Sequence, residues 1–373
     1  MIYILLTIIT LILSSIYHIT YKGNKNNFYK QNFTICIYKK KFRIISIGQI
    51  MTFLIMVLPV SLVAGLRYGI STDYIPIYER GFKRVLNGVT TDNFEPAFYF
   101  LIKMCGTFSD EAWPVFLVSS LITMALFFAS FKQSKIFLMS VTLLFAQGIY
   151  FDTFNGIRQY IVAAVFLCCI KYIRNGNLKR YMVIMGLCTL IHTSALITLP
   201  LYFLRKIKLN YYVYIVILTL MMIFKTKLFQ LFLIVLSLNS KYYNNFIVKG
   251  TLLTYISPSV SQLVTSAIAL IPMIYLYKKM HKTEEGKFFF NMAFLNLTFA
   301  VFSFFLPLME RVMYYTKVSF LLGIPFVCSL IRNKKYRFLI CAVEIILLGF
   351  MNIYGMLNRE WYAVLPYQSI FSK

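Results

Sequence analysis

The residues of this chain that could do chemistry are few and stand far apart. Arg67 ends an apolar run and opens the segment G-L-R-Y-G-I-S-T-D-Y-I-P-I-Y, in which Asp73, Tyr74 and Tyr78 follow. A guanidinium is a planar fork that holds phosphate or carboxylate through two bonds at once. An Arg at a helix end also serves as a plain interfacial anchor. Arg158 follows D-T-F-N-G-I where another apolar run begins. A helix N-terminus there already favours an anion, and the cation would strengthen it. A local ion pair with Asp152 is the competing reading. His192 lies inside C-T-L-I-H-T-S-A-L-I. An imidazole at membrane depth is either a general base or hydrogen-bond donor, or a satisfied core residue. Glu310 and Arg311 sit in P-L-M-E-R-V-M-Y-Y, with Tyr314 and Tyr315 one helical turn further on. They are a site pair or a solvated ion pair.

Taken together, three isolated Arg at three helix ends are what an enzyme needs to clamp a pyrophosphate. There is no D-x-D, no P-loop and no G-x-G-x-x-G. The three His have no ligand partners at metal spacing, and the seven Cys form no C-x-x-C pair. The expectation is no metal, no cofactor and no disulfide framework.

The elements that must position these residues are membrane helices. Sixty per cent of the 373 residues are hydrophobic and only 13% are charged. The mean hydropathy is +0.72. A soluble domain carries about 25% charged residues and cannot hide so much apolar surface, whereas a bilayer solvates it. The net charge of +26 suggests nucleic acid at first sight. The basic residues, however, lie in short loops between apolar runs, where they fix orientation and meet anionic lipid.

Apolar runs place spans near 2–18, 44–64, 112–131, 136–150, 157–173, 211–224, 260–277, 287–307, 314–331 and 338–356. The first reads as a retained helix, since it lacks the basic start and cleavage site of a signal peptide. The fold expected is all-α: a polytopic integral membrane protein of about ten transmembrane helices, with twelve as the alternative count. It forms one helical domain over 1–373. The Lys- and Arg-rich loops around 22–43, 132–135, 171–180, 205–208, 278–287 and 332–337 are assigned to the cytoplasm, which places both termini outside. Asp73, Glu79, Asp92, Glu95, Asp110, Glu111, Asp152, Glu310 and Glu360 then fall on the outer side. The large outer loops are 65–111 and 225–259, with amphipathic pieces near 94–108 and 228–238. Residues 181–204 are basic at both flanks. They form a re-entrant helical pair, 181–191 and 194–204, turning near His192, or else one tilted span. Arg359, Glu360 and Trp361, with L-P-Y at 365–367, read as an aromatic belt.

On these residues the chain resembles the EpsG-like, Wzy-type polysaccharide polymerases of exopolysaccharide, capsule and O-antigen clusters. The resemblance rests on R-Y-G-x-x-T-D-Y-x-x-Y from Arg67 to Tyr78 with F-E-P-A-F-Y after it. It rests also on R-Q-Y at Arg158 followed by H-T-S-A-L at His192, and on E-R-x-x-Y-Y at Glu310 with the late L-P-Y. Each motif is loose, and their order and spacing are more specific than any one. The resemblance implies a GT-C-like membrane glycosyltransferase in the bacterial cytoplasmic membrane that needs no metal. Its substrate would be undecaprenyl-pyrophosphate-linked oligosaccharide, joined repeat by repeat on the outer face. It implies Arg67, Arg158 and Arg311 as holders of phosphate or glycan, beside Tyr74, Tyr78 and Tyr315. Asp73, His192 and Glu310 become the possible bases. The partners implied are lipid-linked repeat units, membrane lipid, a flippase and a chain-length regulator, with no nucleic acid. A flippase of the same lipid-linked sugars, an O-antigen ligase and a membrane acyltransferase are the rival readings.

Overall fold

The computed structural model describes residues 1–27, 36–37, 40–41, 47–89, 94–208, 210–237, 259–358 and 364–372. Among the described residues the regular elements are helices, apart from a two-residue antiparallel pairing of Cys36–Ile37 with Lys40–Lys41.

Among the described residues, five helices are long and apolar enough to cross a membrane: Ile2–Ile19, Gly48–Gly65, Trp113–Phe131, Met309–Ser329 and Lys334–Leu357. A sixth is gained if Tyr211–Ile223 and Lys225–Ile234, bent by 77° at their junction, count as one. About ten were expected, and the difference has local causes. The 136–150 run stops at Gly148, whose φ is 72°. The apolar helix before it, Phe137–Ala146, is 10 residues long. A residue with a Cβ would be strained at that φ, and its Cβ would displace the Asn352 side chain. Val260–Tyr275 is apolar but has 16 residues. Ile157–Arg174 and Glu284–Phe302 include Arg158, Gln159, Lys171 and Arg174, and Glu284, Glu285, Asn291 and Asn296.

Packing is centred on Met309–Ser329. It is buried along most of its length, against Glu284–Phe302, Phe137–Ala146 and Ile157–Arg174. Ile47–Gly65 and Trp113–Phe131 pack closely enough that a Cβ at Gly65 would fall 2.6 Å from Leu117 Cα. Between the same helices, Ser120 Oγ donates to Ser61 O at 2.8 Å. By contrast, Lys334–Asn358 and Tyr211–Ile223 show most of their apolar surface outward.

Residues 178–206 form a hairpin. An α-helix, Leu178–Leu187, tightens into a single 3₁₀ turn, Cys188–Leu190. The chain then becomes extended at His192 (φ −157°, ψ 124°) and returns as a 14-residue 3₁₀-helix, Thr193–Lys206. Tyr181 Oη donates to Thr198 O at 2.6 Å, and its ring lies 5.4 Å from that of Tyr202. Arg205 donates to Ile173 O at 2.7 Å and pairs with Glu284 at 2.9 Å. One tilted span would carry residues 181 and 205 to opposite ends. Here the return arm runs back beside the first.

The two ends of the chain meet. Tyr3 Oη donates to Val364 O at 2.9 Å, and the Tyr3 and Tyr367 rings are 5.7 Å apart. The 364–370 segment then lies along 66–68, with Tyr68 N donating to Gln368 O and Ile370 N to Leu66 O, each at 2.9 Å. L-P-Y is therefore a strap rather than a belt, since Tyr367 Oη is tied to Val63 O at 3.0 Å. Arg359, Glu360 and Trp361 lie outside the described residues, as do Asp92 and residues 238–258 of the second large loop.

Candidate active site

A cavity of about 280 Å³ opens where four chain segments meet. Its walls include Asp73, Tyr78, Asn155, Arg158, His192 and Arg311, with Thr72, Gln159, Glu310 and Tyr314 completing the polar lining.

The first wall comes from the segment after Arg67. Gly69 (φ 64°) and Ser71 (φ 92°) turn the backbone through left-handed conformations. Ser71 Oγ donates to Phe154 O at 3.0 Å, which fixes that turn against the neighbouring wall. A short π-helix, Tyr74–Glu79, follows and buries Tyr74 and Tyr78. Asp73 stands at its N-terminal boundary. Asn155 Oδ1 accepts from Thr72 Oγ1 at 3.0 Å and Asp73 N at 3.3 Å, stapling this wall to the second. Burial raises the Asp73 carboxyl above its usual range, opposed by the charges of Arg311 and Arg158.

The second wall is the Asn155–Gly156 turn and the first turn of Ile157–Arg174, which carries Arg158 and Gln159. The third is the corner of the hairpin at His192. The fourth is the start of Met309–Ser329, entered through Leu308 at φ 65°. Four helices thus begin at the cavity, and helix N-termini present unpaired N–H groups and partial positive charge.

Glu95 ties the second and third walls together. Pro96 holds it in the extended backbone of an N-cap (φ −69°, ψ 156°), but its side chain caps nothing in its own helix, Pro96–Gly106, and reaches other partners. Oε1 meets His192 Nδ1 at 2.8 Å and accepts from Thr193 N at 3.1 Å. Oε2 accepts from Arg158 Nη1 at 2.5 Å. The Arg158 guanidinium also lies over Phe94 and Phe98, at 5.1 and 5.8 Å from the ring centres. Burial pushes the Glu95 carboxyl upward, but His192, Arg158 and the Thr193 N–H outweigh it and leave it at about 2. It is an anion at any physiological pH. A carboxylate on Nδ1 fixes the imidazole's orientation and favours the Nδ1–H tautomer. Nε2 is then the ring nitrogen left for a substrate.

The residues singled out from sequence divide accordingly. Asp73, Tyr78, Arg158, His192, Glu310 and Arg311 share the cavity. Arg67 does not line it. It is 2% exposed, donates to Ala64 O and to Phe154 O (2.8 Å), and lies between the Phe116 and Phe154 rings at 4.8 and 4.7 Å. Its fork is taken up by backbone carbonyls, so it is neither a phosphate clamp nor an interfacial anchor. Tyr74 also stands behind the wall, stacked on Phe116 at 4.3 Å. Tyr315 is fully buried with its hydroxyl 2.6 Å from Ser194 Oγ, and Tyr314 faces the cavity instead. Asp152 does not pair with Arg158. It accepts from Tyr160 Oη at 3.0 Å and from Lys317 Nζ at 2.7 Å.

Reasoning from sequence overlooked Glu95 as a site residue, along with Asn155 and Gln159. The signal for Glu95 was present in F-E-P: an acid before proline cannot continue a helix and is presented sideways. Among the described residues, no group of three or more His, Cys, Asp or Glu is placed to hold a metal ion.

A family model, the EpsG family, matches residues 50–369. The chain belongs to the EpsG family. That makes it a membrane-embedded polysaccharide polymerase of the Wzy-like kind. No curated protein and no solved structure matches it. The EpsG match takes in all four walls of the cavity, Glu95 and the strap at 364–369.

Proposed function

We propose that this EpsG-family protein joins undecaprenyl-pyrophosphate-linked oligosaccharide repeat units by glycosyl transfer in this cavity, on the outer face of the bacterial cytoplasmic membrane. His192 is the general base. The observation that carries the assignment is the Glu95–His192 contact at 2.8 Å, in a cavity that His192 lines. The acceptor hydroxyl gives its proton to Nε2 as its oxygen attacks the anomeric carbon of the growing chain. The bond from that carbon to the pyrophosphate oxygen breaks, and the electron pair leaves with the pyrophosphate. Glu95 stabilises the imidazolium that forms, as a carboxylate does for any His base.

Arg311, which is exposed at the cavity, meets the leaving pyrophosphate together with the N-termini of Ile157–Arg174 and Met309–Ser329. Arg158 acts through Glu95 and is a positioning residue. Asp73 faces the developing positive charge at the anomeric centre, and Glu310 orients the glycan. The charge of the leaving group is met by these fixed groups, so the scheme has no metal-dependent step.

The positive-inside pattern supports this placement, with both termini extracytoplasmic and the 65–111 and 225–259 loops outside. On this reading the helices too short or too polar to qualify by length and composition complete a domain of about ten spans, GT-C-like in plan. The 178–206 hairpin re-enters the membrane from the cytoplasmic side with His192 at its tip. Exposed Leu187, Leu190, Leu196 and Phe203 support lipid on its outer surface. A flippase and a chain-length regulator would act beside it.

The test is analysis of carrier-linked glycan in cells whose only copy is His192→Gln at wild-type protein level. Single repeat units should accumulate on the outer leaflet, with long chains missing. Units trapped on the inner leaflet would indicate a flippase, and normal chain length would refute the base assignment.

A further inference from the structure

Beneath the Glu310 wall lies a second, small cavity of about 10 Å³, set between Val260–Tyr275, Glu284–Phe302, Met309–Ser329 and the end of Phe137–Ala146. Gln147, Gln262, Thr265, Ser266, Asn296 and Lys317 line its polar side. Three buried polar atoms here have no partner: both amide atoms of Gln147 and Oε1 of Gln262. Gln147 is 5% exposed. Unpaired buried amides cost about 1–3 kcal/mol each, so native chains rarely leave three around one void.

The neighbouring polar groups are occupied. Asn296 accepts from Ser266 Oγ at 2.7 Å and donates to Thr316 Oγ1 at 2.8 Å. Thr265 Oγ1 donates to Gln262 O, which also lies 2.7 Å from Ser266 Oγ. Lys317 is neutralised by Asp152.

We propose that this cavity binds one water molecule, and that the water makes Gln262 a positioning residue for Glu310. Size, count and donor set all select water. The volume matches the roughly 10–15 Å³ that one water needs, and a buried water makes about three hydrogen bonds. The lining offers a metal cation no carboxylate, thiolate or imidazole. With Oε1 on the water, the amide of Gln262 is turned so that Nε2 donates to Glu310 Oε1 in the wall of the large cavity. Gln147 anchors the water from the other side. The water site stands independently of the function proposed above. Its effect on turnover rests on that reading.

The experiment is a single-particle structure of the full chain in a lipid nanodisc, at a resolution that shows buried waters. One peak within hydrogen-bonding distance of Gln147 and Gln262 Oε1 is expected, and it should vanish in Gln147→Leu. No peak while other buried waters are visible, or a direct Gln147–Gln262 bond, would overturn the site. Elongation by reconstituted protein then reads the positioning role. Gln147→Leu and Gln262→Leu should each raise KM for the lipid-linked acceptor about ten-fold with kcat nearly unchanged. The double variant should be no worse than Gln262→Leu, since both act through one water. Unchanged KM in both, or losses that multiply, would refute the positioning role while leaving the peak to decide the water.

Discussion

Arg67 and Arg158 are built alike and used differently. Each guanidinium is buried over a pair of Phe rings, and each lies at the start of a wall segment. Arg67 spends its donors on the carbonyls of Ala64 and Phe154, and so fixes backbone: the turn at 153–156 that carries Asn155, and the 66–68 edge under the C-terminal strap. Arg158 donates to Glu95 as well as bonding the Tyr78 side chain, and so fixes a carboxylate that in turn fixes His192. The difference teaches that an Arg in an apolar segment is assigned by its acceptor. A carbonyl marks it as scaffold, and a carboxylate that reaches a site marks it as part of that site's support.

The largest effects should come from the cavity side. Glu95→Gln should slow polymerisation by about 10²–10⁴-fold, as expected for loss of general base orientation. Chain-length profiles at matched protein level check it. Arg158→Lys keeps the charge but loses the planar fork, and should cost about 10–100-fold through a weaker charge-assisted bond to Glu95. Arg67→Met tests the scaffold side. Two carbonyls lose their donor, at about 1–3 kcal/mol each, so the folded fraction and thermal stability should fall. Activity per folded molecule should fall less than for Glu95→Gln. Equal per-molecule losses for Arg67→Met and Glu95→Gln would erase the distinction between the two arginines.

A smaller and sign-dependent effect separates Asp73, in the cavity wall, from Glu95, which holds the wall residues Arg158 and His192. Glu95 is depressed to about 2, so the stability it contributes is present above its ordinary value of 4.5 and is lost as pH falls toward 2. Asp73 is raised, so its contribution is full below its ordinary value of 3.8 and is lost as pH rises through the higher folded value. Melting at pH 7 should therefore show Asp73→Asn more stable than wild type and Glu95→Gln less stable. The same sign for both would mean that their surroundings are misassigned. The least effect belongs to Lys83→Ala. It removes an exposed i,i+4 pair with Glu79 at 3.3 Å, and should shift stability by no more than about 0.5 kcal/mol.

Much of the site was legible because ionisable residues are conspicuous in an apolar chain. Asp73, Arg158, His192, Glu310 and Arg311 could each be picked out by type and isolation. Glu95 could not, because it lies in a loop with several other acids, and only its place before Pro96 sets it apart. Arg67 was legible as unusual but not as scaffold. Whether a guanidinium's terminal nitrogens are taken up by carbonyls depends on Phe154, which is remote in sequence. Apolar runs located the main helices, and by length and composition five of the described ones qualify as spans. Ile157–Arg174 and Glu284–Phe302 do not qualify because they carry charged and polar residues among their apolar ones.

The central claim is that Glu95 and His192 work as one unit, and a double-mutant cycle on reconstituted elongation tests it most directly. The rates of Glu95→Gln, His192→Gln and the double variant would be compared with wild type at equal folded protein. Residues that act as a unit are strongly non-additive, so the double variant should be no slower than His192→Gln alone. Losses that multiply, or wild-type elongation by His192→Gln, would contradict the account.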